Sequence, residues 1–186
     1  MSSRWYLHNF ASPEDVGSFA MITSLALILP VGFQSIVSGY IGPIIFQKEN
    51  SEPGYARKFL RLFLPVGFLL IGAGFLFVYF CKNWIVTSFS SQEYLPLAWM
   101  LPWMVVAYSF YSLSMIGAFE IFAKNKPQKL IVSSCLSGAV ALIIGYFMID
   151  KYGVHGAFIT FLATYITYAV LTFNVVLRFW RKNDYY

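Results

Sequence analysis

Two long runs of this chain carry no charge. One spans 130–149 and the other 154–177, the second uncharged when His155 is neutral. Each is close to the roughly 20 residues, at about 1.5 Å of rise per residue, that cross the hydrocarbon core of a bilayer. Lipid offers no partner to backbone N–H and C=O groups, so runs of this kind are helices. Between them lie the polar pair Asp150-Lys151 and the stretch Tyr152-Gly153-Val154-His155-Gly156-Ala157. Gly153 is expected to end the first helix in a left-handed conformation, which glycine adopts without steric cost. The expectation is a helical hairpin from Gln128 to Trp180.

The rest of the sequence repeats this grammar. Hydrophobic residues make up 59% and charged residues 11%, whereas a soluble domain is about a quarter charged. The chain therefore reads as all-α and polytopic, a single transmembrane bundle with about five spans at 16–45, 59–80, 95–122, 130–149 and 154–177. In the lead-in, Trp5, Tyr6 and Phe10 suit the membrane–water interface. Ser12-Pro13-Glu14-Asp15 suits a helix start. Pro30 is expected to kink the first span, and Gly39, Gly42 and Pro43 to loosen its end. The segment 47–58 reads as a hydrophilic loop with a Pro-Gly turn, 85–94 as an amphipathic or looped link, and 123–129 as a short basic linker.

Basic residues fall unevenly across these breaks. Lys48, Arg57, Lys58, Arg61, Lys124, Lys126, Lys129, Arg178, Arg181 and Lys182 map to one side, against Arg4, Lys82 and Lys151 on the other. The excess of cations marks the cytoplasmic side. The C-terminus is thus expected inside and the N-terminus outside. A chain that starts outside with no leader is expected to be the C-terminal part of a longer transporter. The net charge of +5 is interspersed between apolar spans, unlike a nucleic-acid-binding face. Cys81 and Cys135 form no disulfide or metal pattern, and both read as packing residues.

Candidate functional side chains are few. Gln34, with Ser35 and Ser38, places hydrogen-bonding groups in the first span, facing either a cavity or a neighbouring helix. Tyr108, Tyr111, Tyr165, Tyr168, Thr160, Thr164 and Asn174 offer hydroxyls, aromatic faces and an amide that suit sugar rings or interior packing. Arg57, Lys58 and Arg61 could pair with a diphosphate. Glu120, near the end of a span, is expected to be a solvated carboxylate, with coupling to a cation as the functional alternative. Ser133, Ser137, Ala141 and Gly145 form a small-residue ridge at four-residue steps that would let two helices approach closely. His155 is expected to be exposed in its turn. Motifs for nucleotide, metal or dinucleotide chemistry are absent, so an enzyme is not expected, and neither a cofactor nor a metal.

Four local patterns together resemble a known family. They are Arg4-Trp5-Tyr6-Leu7 followed by Phe10 to Ala20; Pro43 closing the next helix; Glu93-Tyr94 before an apolar span; and Tyr152-Gly153-Val154-His155-Gly156-Ala157 before the last one. In order and spacing they are similar to the polysaccharide (O-antigen type) flippases of the multidrug/oligosaccharidyl-lipid/polysaccharide exporter superfamily. The resemblance implies the last five helices of a two-bundle, roughly twelve-helix transporter working by alternating access. It implies a bacterial inner-membrane location and a lipid-linked oligosaccharide as substrate. The partners would be the bilayer and, for a complete path, the missing N-terminal helices or another membrane subunit. Gln34, Arg57, Arg61, Tyr108, Tyr111, Thr164 and Tyr168 are the substrate-path candidates. Two alternatives stand beside this reading. One is a fragment of a multidrug exporter of the same superfamily, and the other a non-transporting subunit of a polysaccharide assembly complex.

Overall fold

A computed structural model describes residues 13–183, with side chains through Arg181. Expectations that rest on Trp5, Tyr6, Phe10, Ser12 and the last residues of the tail lie outside the described residues. Among the described residues the chain is almost wholly helical, with no strand. The elements are α1 (Pro13–Ser51), α2 (Tyr55–Phe89), α3 (Met100–Gly117), the short α4 (Phe119–Ala123) and α5 (Ile131–Asn183). Four helical stretches are long and apolar enough to cross a membrane. The last is broken at Gly153, so its two arms, 131–152 and 154–183, give five potential crossings.

The break at Gly153 is sharp. Its φ of 52° is positive, as expected, but its ψ of −123° belongs to a tight reversal and not to a left-handed helical cap. Three residues later the backbone of Gly156 passes so close to Met148 that a Cβ there would lie 2.0 Å from the Met148 carbonyl oxygen. At the far end of the arms the Lys129 ammonium sits 4.3 Å from the centre of the Phe179 ring. The arms therefore lie side by side along their length. The residues buried on the first arm are Ser133, Ser137, Ala141, Gly145 and Ile149. The ridge of small residues is thus the packing face of that arm.

The first helix runs further than its prolines indicate. Pro43 does not close it. A π-helical turn, Val37–Ile41, precedes Pro43, and the Gly42 N–H bonds to the Val37 carbonyl, five residues back. The wider turn accommodates a residue that has no N–H and whose ring would otherwise strike the preceding turn. The helix then continues to Ser51. The hydrophilic loop shrinks to a type II turn at Glu52–Tyr55, in which Tyr55 N–H bonds to Glu52 O at 3.1 Å and Gly54 has φ 93°. The expected link at 85–94 is also corrected: α2 continues to Phe89, and a 3₁₀ turn, Gln92–Leu97, leads into α3. Asn125, at φ 52°, ends α4. Lys126 N–H bonds to Ile121 O and Asn125 N–H to Phe122 O, as in a Schellman cap.

α3 is the central helix, packed against α1, α2 and α5. Buried side chains divide into two apolar cores along its length. One joins Phe19, Ile22 and Ala26 of α1 to Leu101 and Met104 of α3, and to Ile149, Ala157 and Phe161 around the hairpin turn. The other joins Val37 and Ile45 of α1 to Leu60 and Leu64 of α2, to Leu113 and Ile116 of α3, and to Phe179 and Trp180 of the second arm. The basic residues cluster around this second core. α1 before its π turn and α2 both rest on α3 yet barely touch each other. They meet where Phe33 stacks on Phe63, with ring centres 6.2 Å apart.

Candidate functional site

Between the two cores lies a layer of tyrosines. α3 supplies Tyr108 and Tyr111, one turn apart, and the second arm of α5 supplies Tyr165 and Tyr168. Helical spacing of three puts each pair on one face. Tyr108 lies 4.9 Å from Tyr165, Tyr111 5.3 Å from Tyr165, and Tyr111 4.9 Å from Tyr168, all between ring centres. Phe161 closes the group against Tyr165 at 4.5 Å. The tilted and edge-on geometries are those that aromatic quadrupoles favour. All four tyrosines are half-buried. The Tyr168 hydroxyl is directed to Met115 Sδ at 3.0 Å. Thr164 donates to the Thr160 carbonyl one turn back at 2.7 Å, which satisfies its hydroxyl within the helix.

Gln34 is separate from this layer. Its Oε1 accepts a hydrogen bond from Ser112 Oγ at 3.0 Å, tying α1 to α3. This is the interhelical role of an amide in an apolar helix. Ser112 carried no signal in the sequence, because a single serine in a span is unremarkable until its partner is known.

At the basic end a buried charge network replaces the expected solvated carboxylate. Glu120 is 0% exposed. Its Oε1 lies 3.1 Å from Arg57 Nη2 and 2.8 Å from Lys124 Nζ, and its Oε2 accepts from Arg57 Nε at 3.5 Å. Lys124 also reaches Glu49 Oε1 at 3.7 Å. Glu49 accepts the Gly54 N–H at 3.0 Å and the Ala56 N–H at 2.8 Å, which holds the turn between α1 and α2. Burial of Glu120 follows from this pairing, since a carboxylate enters an apolar interior only with compensating donors. Arg61 lies over the Trp180 ring at 5.7 Å.

The structure thus brings Tyr108, Tyr111 and Tyr168 together with Tyr165, and places Thr164 one residue before Tyr165. It does not bring Gln34, Arg57 or Arg61 to that layer. Apolar cavities border α2 on more than one side, two of them near its middle. One, of about 250 Å³, lies against α1 and α3, beside Phe33, Gly67, Gly74 and Ser112. The other, of about 310 Å³, lies against α3 and the second arm, beside Phe68, Trp103 and Phe173. None of the seven sequence candidates lines either cavity. Among the described residues no group of three His, Cys, Asp or Glu side chains could hold a metal ion. His155 is exposed and stacks beside Trp99 at 5.9 Å. No protein-family model, curated protein or solved structure matches the chain.

Proposed function

We propose that the chain serves membrane transport as a flippase, moving a lipid-linked oligosaccharide across a bacterial inner membrane during surface polysaccharide synthesis. The observation that carries this reading is the tyrosine layer. It places four phenol groups at the middle of long apolar helices, uncharged and half-buried, between two apolar cores. Aromatic faces and hydroxyls of this kind suit sugar rings, which need stacking and exchangeable hydrogen bonds. The basic end, facing the cytoplasm in this reading, would meet the diphosphate, with the exposed Arg61 as its first contact and Arg57, held by Glu120, behind it. The bilayer is the partner of the exposed apolar faces, and further membrane helices would complete the path. The reading involves no covalent chemistry and no cofactor.

The exporter alternative gains one feature from the structure, a buried carboxylate. Glu120 lies at the end of its helix and is paired with two cations, which makes it a poorer coupling site than a carboxylate facing a cavity. The test is complementation of a flippase-deficient strain by the chain in its genomic context, beside a Tyr111→Phe/Tyr165→Phe/Tyr168→Phe triple variant. Membrane insertion is checked by fractionation. Restored surface polysaccharide, reduced several-fold in the triple variant, is the expected result. Insertion without restoration would overturn the flippase reading and favour the scaffolding subunit.

A further inference from the structure

The charge network at the basic end is built in a way that lets it come apart. It joins two bodies. One is the α1–α2 hairpin, which carries Glu49 and Arg57. The other is α4 with its C-terminal cap, which carries Glu120 and Lys124. Two ion pairs cross between them in opposite senses: Arg57 to Glu120 at 3.1 Å, and Lys124 to Glu49 at 3.7 Å. Parting a buried ion pair is ordinarily prohibitive because each charge is left alone in an apolar interior. Here each body keeps an acid and a base of its own. Within α4, Lys124 pairs with Glu120 at 2.8 Å, one turn apart. Within the hairpin, both Glu49 oxygens are taken by the N–H groups of Gly54 and Ala56, and Lys48 reaches Tyr55 Oη at 3.5 Å. Separation therefore leaves Glu120 with Lys124 and Glu49 with its two backbone donors, so both carboxylates remain partnered.

The position fits a moving part. The network also has an edge to water, with the Lys124 side chain 28% and the Arg57 side chain 11% exposed. Beside it the apolar complement is an aromatic contact, Phe46 against Phe119 at 5.9 Å. The geometry points to a releasable clasp: Glu49, Arg57, Glu120 and Lys124 close the basic end by two crossed ion pairs, and the α1–α2 hairpin swings away from α4 when both pairs part. The inference does not depend on what is transported.

The clasp is tested by distance measurement between spin labels in lipid nanodiscs, with Cys81 and Cys135 first replaced by Ser. The labels go on Ser51→Cys, at the end of α1, and Lys126→Cys, just beyond α4; both positions are exposed. The expected result is two distances in the parent chain, with the longer population raised at least threefold by Lys124→Gln. One distance, unchanged by Lys124→Gln, would overturn the clasp. Should that variant fail to fold, Glu49→Gln replaces it, since its amide oxygen still accepts one backbone N–H; an unchanged single distance there overturns the proposal equally. If neither variant folds, the network is a static strut and the clasp is refuted.

Discussion

At the turn end of the helices, Gly156 packs on the Met148 backbone, and Trp99 meets Phe158 edge-on with ring centres 5.0 Å apart. At the basic end, Glu120 sits fully buried between Arg57 and Lys124, and Glu49 anchors the turn that begins α2. The first end closes because nothing but hydrogen fits between two backbones. The second closes because charges are matched. The turn end should therefore respond to side-chain volume, and the basic end to charge.

The largest effect should come from Gly156→Ala. The added methyl would meet backbone, which cannot rotate aside, and a loss of about 3 kcal/mol is expected. Reversible unfolding in detergent micelles would show it; an unchanged midpoint would mean that the arms are not closed as described. Arg57→Met comes next. It leaves Glu120 with Lys124 as its charged partner, so the loss should be about 2 kcal/mol, below the roughly 3–5 kcal/mol of a wholly unpaired buried charge. Adding Glu120→Leu to that variant should recover at least half of the loss, since the charge and its partner then leave together. Equal instability of the single and double variants would show that packing rather than charge holds this end.

Smaller effects locate the boundary between the two regimes. Gln34→Leu removes the bond to Ser112 at mid-depth and should cost about 0.6 kcal/mol, the usual size of an interhelical hydrogen bond in a membrane protein. Thr172 lies in the basic half, 0% exposed, and its hydroxyl has no hydrogen-bond partner. Thr172→Val should be neutral or stabilising by about 0.5 kcal/mol, because an unsatisfied buried hydroxyl gives way to an apolar group of the same shape. A clear loss there would mean that the hydroxyl has a partner after all, and that polarity at this end matters beyond the charge network.

Much of the architecture was legible because lipid narrows the choices. Charge-free runs of about 20 residues can only be helices, Gly153 had to break the last one, and small residues at 133, 137, 141 and 145 mark a packing face. Boundaries were less legible. Pro43 looked like a stop, yet a π turn upstream absorbs it, and nothing in local sequence distinguishes a proline that ends a helix from one the helix goes around. The charge network was the main feature missed. Glu120 and Arg57 lie 63 positions apart, so Glu120 alone looked like a carboxylate at a membrane boundary. Glu49 looked like a loop residue because its backbone donors, Gly54 and Ala56, become partners only when the turn forms. The tyrosines were visible singly, but their assembly into one layer depends on how the second arm packs on α3.

For the two ends to differ in this way, α5 must cross the membrane twice, so that the basic ends of its arms share one side and its turn faces the other. Thiol accessibility tests this most directly, with an impermeant reagent on intact cells and single cysteines at Lys126, Lys151 and Arg181, after Cys81 and Cys135 are replaced by Ser. Labelling of position 151 from outside, with 126 and 181 reacting only after permeabilisation, is the predicted result. Labelling of 151 and 181 from the same side would contradict it.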